Sequence, residues 1–363
     1  MRLLICAGGT GGGVYPALAV HHALAIGRPS LDTLWIGGEG GMEEELVRRA
    51  GIPFRAIPAA GLHGVGPRAW PRNLMTLAAG FKASMAILRE FKPDVLFFTG
   101  GYVAGPMALA GRRIPSLLYV PDIEPGLALK SLARFARRIS VTAPDSQKYF
   151  SRKVITTGYP IRAELTAWNK SKGYAALHLD DEVPVLLIFG GSQGARSINE
   201  AIVPHLPTLL ELAQIVHISG QLDWGVVQIA GAGLTSEQRE RYHAFPYLHE
   251  QMGAALAAAD LAISRAGAST LGEFPFFGLP AILVPYPHAW RYQKVNADYL
   301  AERGAAVILK DELLSDELLP VIKDLLANPS KRKAMSKAMS SLSHPQAPRV
   351  IAEQILRLGG ERL

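Results

Sequence analysis

One cysteine, Cys6, stands in a chain of 363 residues. That excludes a disulfide scaffold and any metal site built from thiolates, and it fits a reducing compartment. Charged residues are sparse at 19% and aromatics at 8%, against 49% hydrophobic; such a composition packs a core and excludes disorder. Membrane-spanning runs are missing as well. The uncharged stretches 95–111 and 274–290 are 17 residues each and are broken by Gly and Pro. No basic-then-apolar segment precedes the first strand-like run, so no signal peptide is expected. The 36 Gly and 25 Pro follow no period, which excludes a collagen-like chain and points to many junctions between elements. The expectation is a soluble protein of two domains, at roughly 100–200 residues each.

Charge is distributed unevenly. Residues 1–160 carry 19 Lys/Arg against 10 Asp/Glu, whereas residues 161–363 carry 19 against 21. A basic half joined to a near-neutral half implies that one domain meets something anionic. Nucleic acid is not expected, because no helix-turn-helix, zinc-finger or RNA-recognition pattern is present. An anionic lipid surface or a phosphorylated substrate fits better.

Short apolar runs alternate with longer amphipathic stretches. In the first half, 3–7, 33–36, 95–99, 116–120 and 138–141 read as buried parallel strands, and 42–50, 74–89 and 127–135 as helices. In the second half, 185–189, 215–218, 261–264, 281–285 and 306–309 read as strands, with helices starting near Ser197, Gln251, Thr270, Gln293 and Leu318. Alternating β and α units of this kind predict an α/β fold with a doubly wound parallel sheet in each half. The boundary falls within 158–182, and a lone amphipathic helix at 346–358 follows with no strand after it.

Both halves open alike, with an apolar strand feeding a glycine-rich turn and then a helix: residues 3–13 and 186–196. A third such loop spans 100–105. Turns of this kind aim free backbone N–H groups and the positive end of a helix at one point, a site suited to phosphate. An ordinary tight turn explains one such loop but accounts poorly for three in corresponding positions. No register gives G-x-G-x-x-G, and G-x-x-x-x-G-K-[ST] is missing, so dehydrogenase and P-loop readings fail. No Asp-x-Asp pair is present to clamp a diphosphate through a metal. A diphosphate-bearing ligand held without metal is what remains.

Seven segments, in order, resemble the MurG family of glycosyltransferases: GGTGGGVYPALAV at 8–20, AAGLHG at 59–64, GYVAGP at 101–106, GYPIRAE at 158–164, GGSQGARSIN at 190–199, RAGASTLGE at 265–273 and PYPHAWRYQKVNA at 285–297. The resemblance implies a GT-B fold: two Rossmann-like domains facing a cleft, at 1–160 (acceptor and membrane) and 161–340 (UDP-sugar), with residues 341–363 crossing back to the first. It implies an inverting, metal-independent transfer of N-acetylglucosamine from UDP-N-acetylglucosamine to the 4-hydroxyl of N-acetylmuramyl-pentapeptide on undecaprenyl diphosphate. No cofactor is implied. The site would be the cytoplasmic face of the membrane, among cell-wall synthesis proteins.

The same resemblance assigns donor contacts. Glu273 would hold the ribose hydroxyls, for which an acceptor-only carboxylate suits a diol. The backbone at Leu248 would read uracil, and Ser192 would meet the diphosphate with Thr10, Gly11 and Gly12. Arg162, Ala268, Ser269, Thr270, Leu271, Gly272 and Gln293 complete the set. On its own, Glu273 would read as a solvated or capping carboxylate.

Three departures from the family pattern fall on its chemistry. The family's first loop ends in His, a candidate base or acceptor-positioning group, where this chain has Gly13. Its His-Glu-Gln-Asn segment is Tyr119-Val120-Pro121-Asp122 here, which puts Asp122 at a donor-contact position. Its paired glutamines are Tyr292-Gln293. Asp122 and Glu124 become substitute-base candidates, although Asp122 also suits an N-cap for the helix near Leu127. His63 is a weak acceptor-side candidate, His21 and His22 read as surface or packing groups, and His217 and His288 as polar groups near the site. Three alternatives stay open: another lipid acceptor, an impaired nucleotide-sugar-binding paralogue, or a UDP-sugar epimerase of similar build.

The segment 61–82 mixes Trp70, Leu74, Met75, Leu77 and Phe81 with Arg68, Arg72 and Lys82. It matches the location of the family's membrane patch, and such a stretch can rest on anionic lipid. An ordinary helix with a core-facing apolar side is the competing reading.

Overall fold

The run Arg2–Cys6 forms strand β1, and its side chains alternate between two cores. Leu4 and Cys6 face one, Leu3 and Ile5 the other. Burial on both faces is why β1 reads as a continuous apolar run. The computed structural model describes residues 1–9, 11–26, 28, 30–61, 66, 70–191, 194–288 and 292–361. It divides into a first unit, Met1–Arg162 with Pro345–Leu363, and a second, Ala163–His344.

In the first unit β1 is followed by β2 (Asp32–Gly38), β3 (Phe54–Ile57), β4 (Val95–Phe98), β5 (Ser116–Val120), β6 (Arg138–Val141) and β7 (Ile155–Thr156). The sheet order is β3-β2-β1-β4-β5-β6-β7, every pair parallel. In the second unit β8 (Val185–Phe189), β9 (Gln214–Ile218), β10 (Tyr242–Phe245), β11 (Leu261–Ser264), β12 (Ala281–Leu283) and β13 (Ala306–Ile308) order as β10-β9-β8-β11-β12-β13. Each sheet reverses its winding next to its first strand, between β1 and β4 and between β8 and β11. Such reversal points are where doubly wound sheets bind ligands, outside the carboxyl ends of the strands.

Strands β3, β7 and β10 escape the sequence reading. All three lie at or beside a sheet edge, where one flank meets solvent and the apolar run is not required. β3 carries Arg55, β7 has two residues, and β10 is half-buried throughout. The helix expected from Thr270 is a 3-10 turn, Ala268–Leu271, followed by the helix Glu273–Phe277.

The last helix, Ala347–Leu358, belongs to the first unit. Its Ile351, Ala352, Ile355 and Leu356 join the core of Leu3, Ile5, Trp35 and Tyr119, and Arg138 donates to Gln354 Oε1 at 2.5 Å. Ile355 is fully buried. Ile355→Ala should therefore lower the stability of the first unit by about 2–5 kcal/mol, read by chemical denaturation, with the transition of the second unit unmoved.

A polar brace crosses the second sheet. Asn199 donates both amide hydrogens, to Ser219 O and Asp223 Oδ2, each at 2.9 Å. Its oxygen therefore faces the Nε2–H of His217 at 3.0 Å, and His217 Nδ1 accepts from the Tyr242 hydroxyl at 2.9 Å. The imidazole is satisfied as a neutral ring, and burial lowers its pKa from 6.5 to about 4. The unfolded chain takes up this proton near pH 6.5 and the folded one only near 4. The contribution is whole above pH 6.5 and is lost as pH falls towards 4, by up to about 3 kcal/mol. His217→Gln should flatten that part of the stability–pH curve in denaturant titrations; an unchanged slope would contradict a buried neutral imidazole.

Candidate functional site

At the reversal point of the first sheet, the turns after β1 and β4 touch backbone to backbone. Gly101, at φ +85°, leaves no room for a side chain: a Cβ there would lie 2.6 Å from Gly8 O. The Thr99 hydroxyl donates to Gly13 O at 2.7 Å, tying the second turn to the first residues of the helix Gly11–Ala25. The opening amides of a helix have no partner within it. Gly11 and Gly12 therefore present donors at the carboxyl edge of β1, without side chains in the way. Thr10 and His63 lie outside the described residues.

The chain leaving β5 carries the two carboxylates. Asp122 is half-buried, whereas Glu124 is 5% exposed and pairs with Lys130 Nζ at 3.4 Å. The helix Leu127–Leu132 is capped by Gly126 without a side-chain bond, so Asp122 is not its N-cap. Tyr119, at the end of β5, is fully buried. Thr142 gives its hydrogen to Pro121 O at 2.7 Å and accepts from the Tyr119 hydroxyl at 2.7 Å. Burial pushes the Tyr119 phenol well up, so it fixes Pro121 ahead of Asp122 and takes no proton itself. Arg162 lies over the ring of Tyr15 with its guanidinium carbon 4.4 Å from the centroid, a cation–π contact.

In the second unit the corresponding turns follow β8 and β11. Gly194, at φ +81°, is pressed against Ser219, where a Cβ would come within 2.3 Å of the carbonyl oxygen. Ser192 lies outside the described residues. Arg265, in the turn after β11, reaches the helix Arg196–Ile202 that follows the first turn: its guanidinium donates to Ser197 Oγ at 2.8 Å and to Val284 O, just past β12, at 3.2 Å, pairs with Asp311, and lies over Tyr286. Ser197 Oγ in turn donates to Asp311 Oδ1 at 2.7 Å. Next come Ala268, Ser269, Thr270, Leu271 and Gly272, with the Thr270 hydroxyl on Gly267 O at 2.7 Å. Glu273 opens the following helix and is 7% exposed. Gln293 Oε1 accepts from Tyr286 N–H at 2.9 Å, and Asn296 donates to Ala266 O at 3.1 Å. Leu248 is buried just past β10.

The histidines separate clearly. His217 is a core group, and His288 is exposed against the Tyr286 ring. Among the described residues no three His, Cys, Asp or Glu side chains cluster as a metal site would. Sequence reasoning missed the bracing residues: Arg265 as a tie, the Asn199–His217–Tyr242 chain, and Glu43 beneath the first turn. Glu43 opens a run of three glutamates and resembles a solvated face. The signal was the glycines before it, Gly37, Gly38, Gly40 and Gly41, which mark close backbone approach.

Two family models cover most of the chain: the glycosyltransferase family 28 N-terminal domain over residues 3–141 and its C-terminal domain over residues 185–351. The UDP-N-acetylglucosamine–N-acetylmuramyl-(pentapeptide) pyrophosphoryl-undecaprenol N-acetylglucosamine transferase of Desulforudis audaxviator is 40% identical, over 99% of both chains. That of Roseiflexus sp. strain RS-1 is also 40% identical, over 97% of this chain and 94% of its own. The crystal structure of MurG from Acinetobacter baumannii superposes with a TM-score of 0.77 at 28% identity, over 98% of this chain and 99% of that one. The two doubly wound units are those of a GT-B glycosyltransferase, and the chain belongs to the family of UDP-N-acetylglucosamine–N-acetylmuramyl-(pentapeptide) pyrophosphoryl-undecaprenol N-acetylglucosamine transferases.

Proposed function

We propose that this protein transfers N-acetylglucosamine from UDP-N-acetylglucosamine to the 4-hydroxyl of undecaprenyl-diphosphate-linked N-acetylmuramyl-pentapeptide, with inversion and without a metal. The observation that carries the reading is the reversal point of the second sheet. There Arg265, in the turn after β11 that leads into Ala268–Leu271 and the buried Glu273, is tied to Ser197 of the helix Arg196–Ile202, which follows the glycine turn after β8.

The chemistry follows from these parts. The acceptor oxygen attacks C1 of the sugar, the bond from C1 to the phosphate oxygen breaks, and its electron pair leaves with UDP. Charge grows on the departing diphosphate, where backbone N–H groups and Arg162 stabilise it; one such donor is worth about 2.7–4 kcal/mol of barrier. Glu273 accepts from the ribose hydroxyls, and the backbone at Leu248 reads the base. The hydroxyl proton needs a taker, and Gly13 supplies none. Of the two carboxylates after β5, Asp122 suits this role, because it is half-buried whereas Glu124 is 5% exposed.

The membrane contact falls on the helix Trp70–Phe91. Trp70, Leu74, Met75 and Phe81 are exposed, as are Arg72 and Lys82. The helix Ala104–Ala110 packs against it and adds exposed Leu109, followed by Arg112 and Arg113. Arg68 lies outside the described residues. Among the described residues no helix is long and apolar enough to cross a membrane. Apolar side chains ringed by cations suit the surface of an anionic leaflet, here the cytoplasmic one.

Turnover of a short-chain acceptor analogue with UDP-N-acetylglucosamine tests the activity, and Asp122→Asn tests the base. The variant should lose roughly 10²–10⁴-fold in kcat while the donor KM holds; donor uptake without product in the unaltered protein would leave an impaired binding protein. For the surface, Arg72→Ala with Lys82→Ala should weaken co-sedimentation with phosphatidylglycerol vesicles roughly tenfold to thirtyfold. Binding indifferent to salt and to the anionic lipid would contradict it.

A further inference from the structure

Glu43 is the one acidic residue of its run that does not face solvent. Glu44 and Glu45 pair with Arg48 and Arg49 one turn on, whereas Glu43 is 1% exposed. Its carboxylate lies under the first glycine turn, where Oε1 accepts from Gly38 N–H at 2.8 Å and Oε2 from Gly9 N–H at 3.3 Å. Gly8 and Gly41 make room for it, because a Cβ on either would come within 2.5 Å of Oε1. Beside it the Trp35 indole donates to Ala7 O at 2.9 Å. The inward polar groups of the turn, Ala7 C=O and Gly9 N–H, are thus both taken from the β2 side. Gly9 is held at φ +94°, and Gly11 opens the helix that comes after the turn.

We propose that Glu43 is a positioning residue for the transfer reaction: it pins the first glycine turn so that the amides at the start of the helix Gly11–Ala25 meet a substrate diphosphate. This role rests on the transferase reading above. The diphosphate is carried by the nucleotide donor or by the prenyl acceptor, and both present the same chemistry to the turn. A carboxylate is needed because two N–H groups converge on it from different segments, and only an acceptor without hydrogens satisfies both. The carboxylate also helps burial to raise the Cys6 thiol pKa.

The test uses the full chain with Glu43→Gln, which keeps shape but faces one N–H with an amide NH2, and Glu43→Asp, which keeps charge but is one methylene short. The KM of UDP-N-acetylglucosamine is measured at saturating acceptor analogue, and the KM of the analogue at saturating donor. Amide exchange is followed over residues 7–13 and 185–191. Either variant should raise one KM by roughly tenfold, with faster exchange confined to 7–13. A rise in the donor arm identifies the nucleotide diphosphate, and a rise in the acceptor arm the lipid diphosphate. Unchanged KM values for both substrates overturn the proposal, as does a joint rise with faster exchange over 185–191, which is general loosening. Should Glu43→Gln fail to fold, Glu43→Asp decides. Unaltered protein without turnover sinks the transferase reading instead, and exchange over 7–13 then judges the brace by itself.

Discussion

The structure depends on the glycine turns that follow the first strand of each sheet, where the winding reverses. Each doubly wound sheet reverses beside its first strand, and the turns there pack closely on neighbouring backbone without side chains. Gly101 packs on Gly8 across the reversal of the first sheet, and Gly194 packs on Ser219 just past β9. A donor set made from main chain is fixed in place before any ligand arrives, so it needs no rearrangement as charge develops on a leaving group.

That arrangement is expensive in backbone entropy, and the surroundings compensate for it. In the first unit Trp35 and Glu43 occupy the inward-facing groups of one turn, and Thr99 ties the other to the helix start. In the second, Arg265 with Ser197 and Asp311 ties the turn after β11 to the helix Arg196–Ile202, and Asn199 with His217 and Tyr242 ties the same helix to β9 and β10. These polar groups lie one layer behind the site. Their value is positional, and each is satisfied by neighbours from a different strand or helix.

Much of this was legible in the sequence, for identifiable reasons. Central strands such as residues 3–6 and 185–189 declare themselves because burial on both faces demands unbroken apolar runs. The glycine turns declare themselves because no other residue fits them. Edge strands such as Phe54–Ile57 and Tyr242–Phe245 do not, since solvent on one flank relaxes the pattern. The braces were hidden for another reason: their partners are distant in sequence. Glu43 reads as one of three surface acids until Gly9 and Gly38 are seen to converge on it, and His217 as a site histidine until Asn199 and Tyr242 enclose it. Asp122 reads as a helix cap until Gly126 is found in that place.

The central claim is that a diphosphate is received by main-chain amides and needs no cation. Calorimetric titration of UDP and of uridine into protein treated with chelator measures this directly. The account predicts that UDP binds with the same affinity whether or not magnesium is restored, and far more tightly than uridine. No uptake of UDP under chelation, or uptake that appears only with added divalent metal, would contradict it.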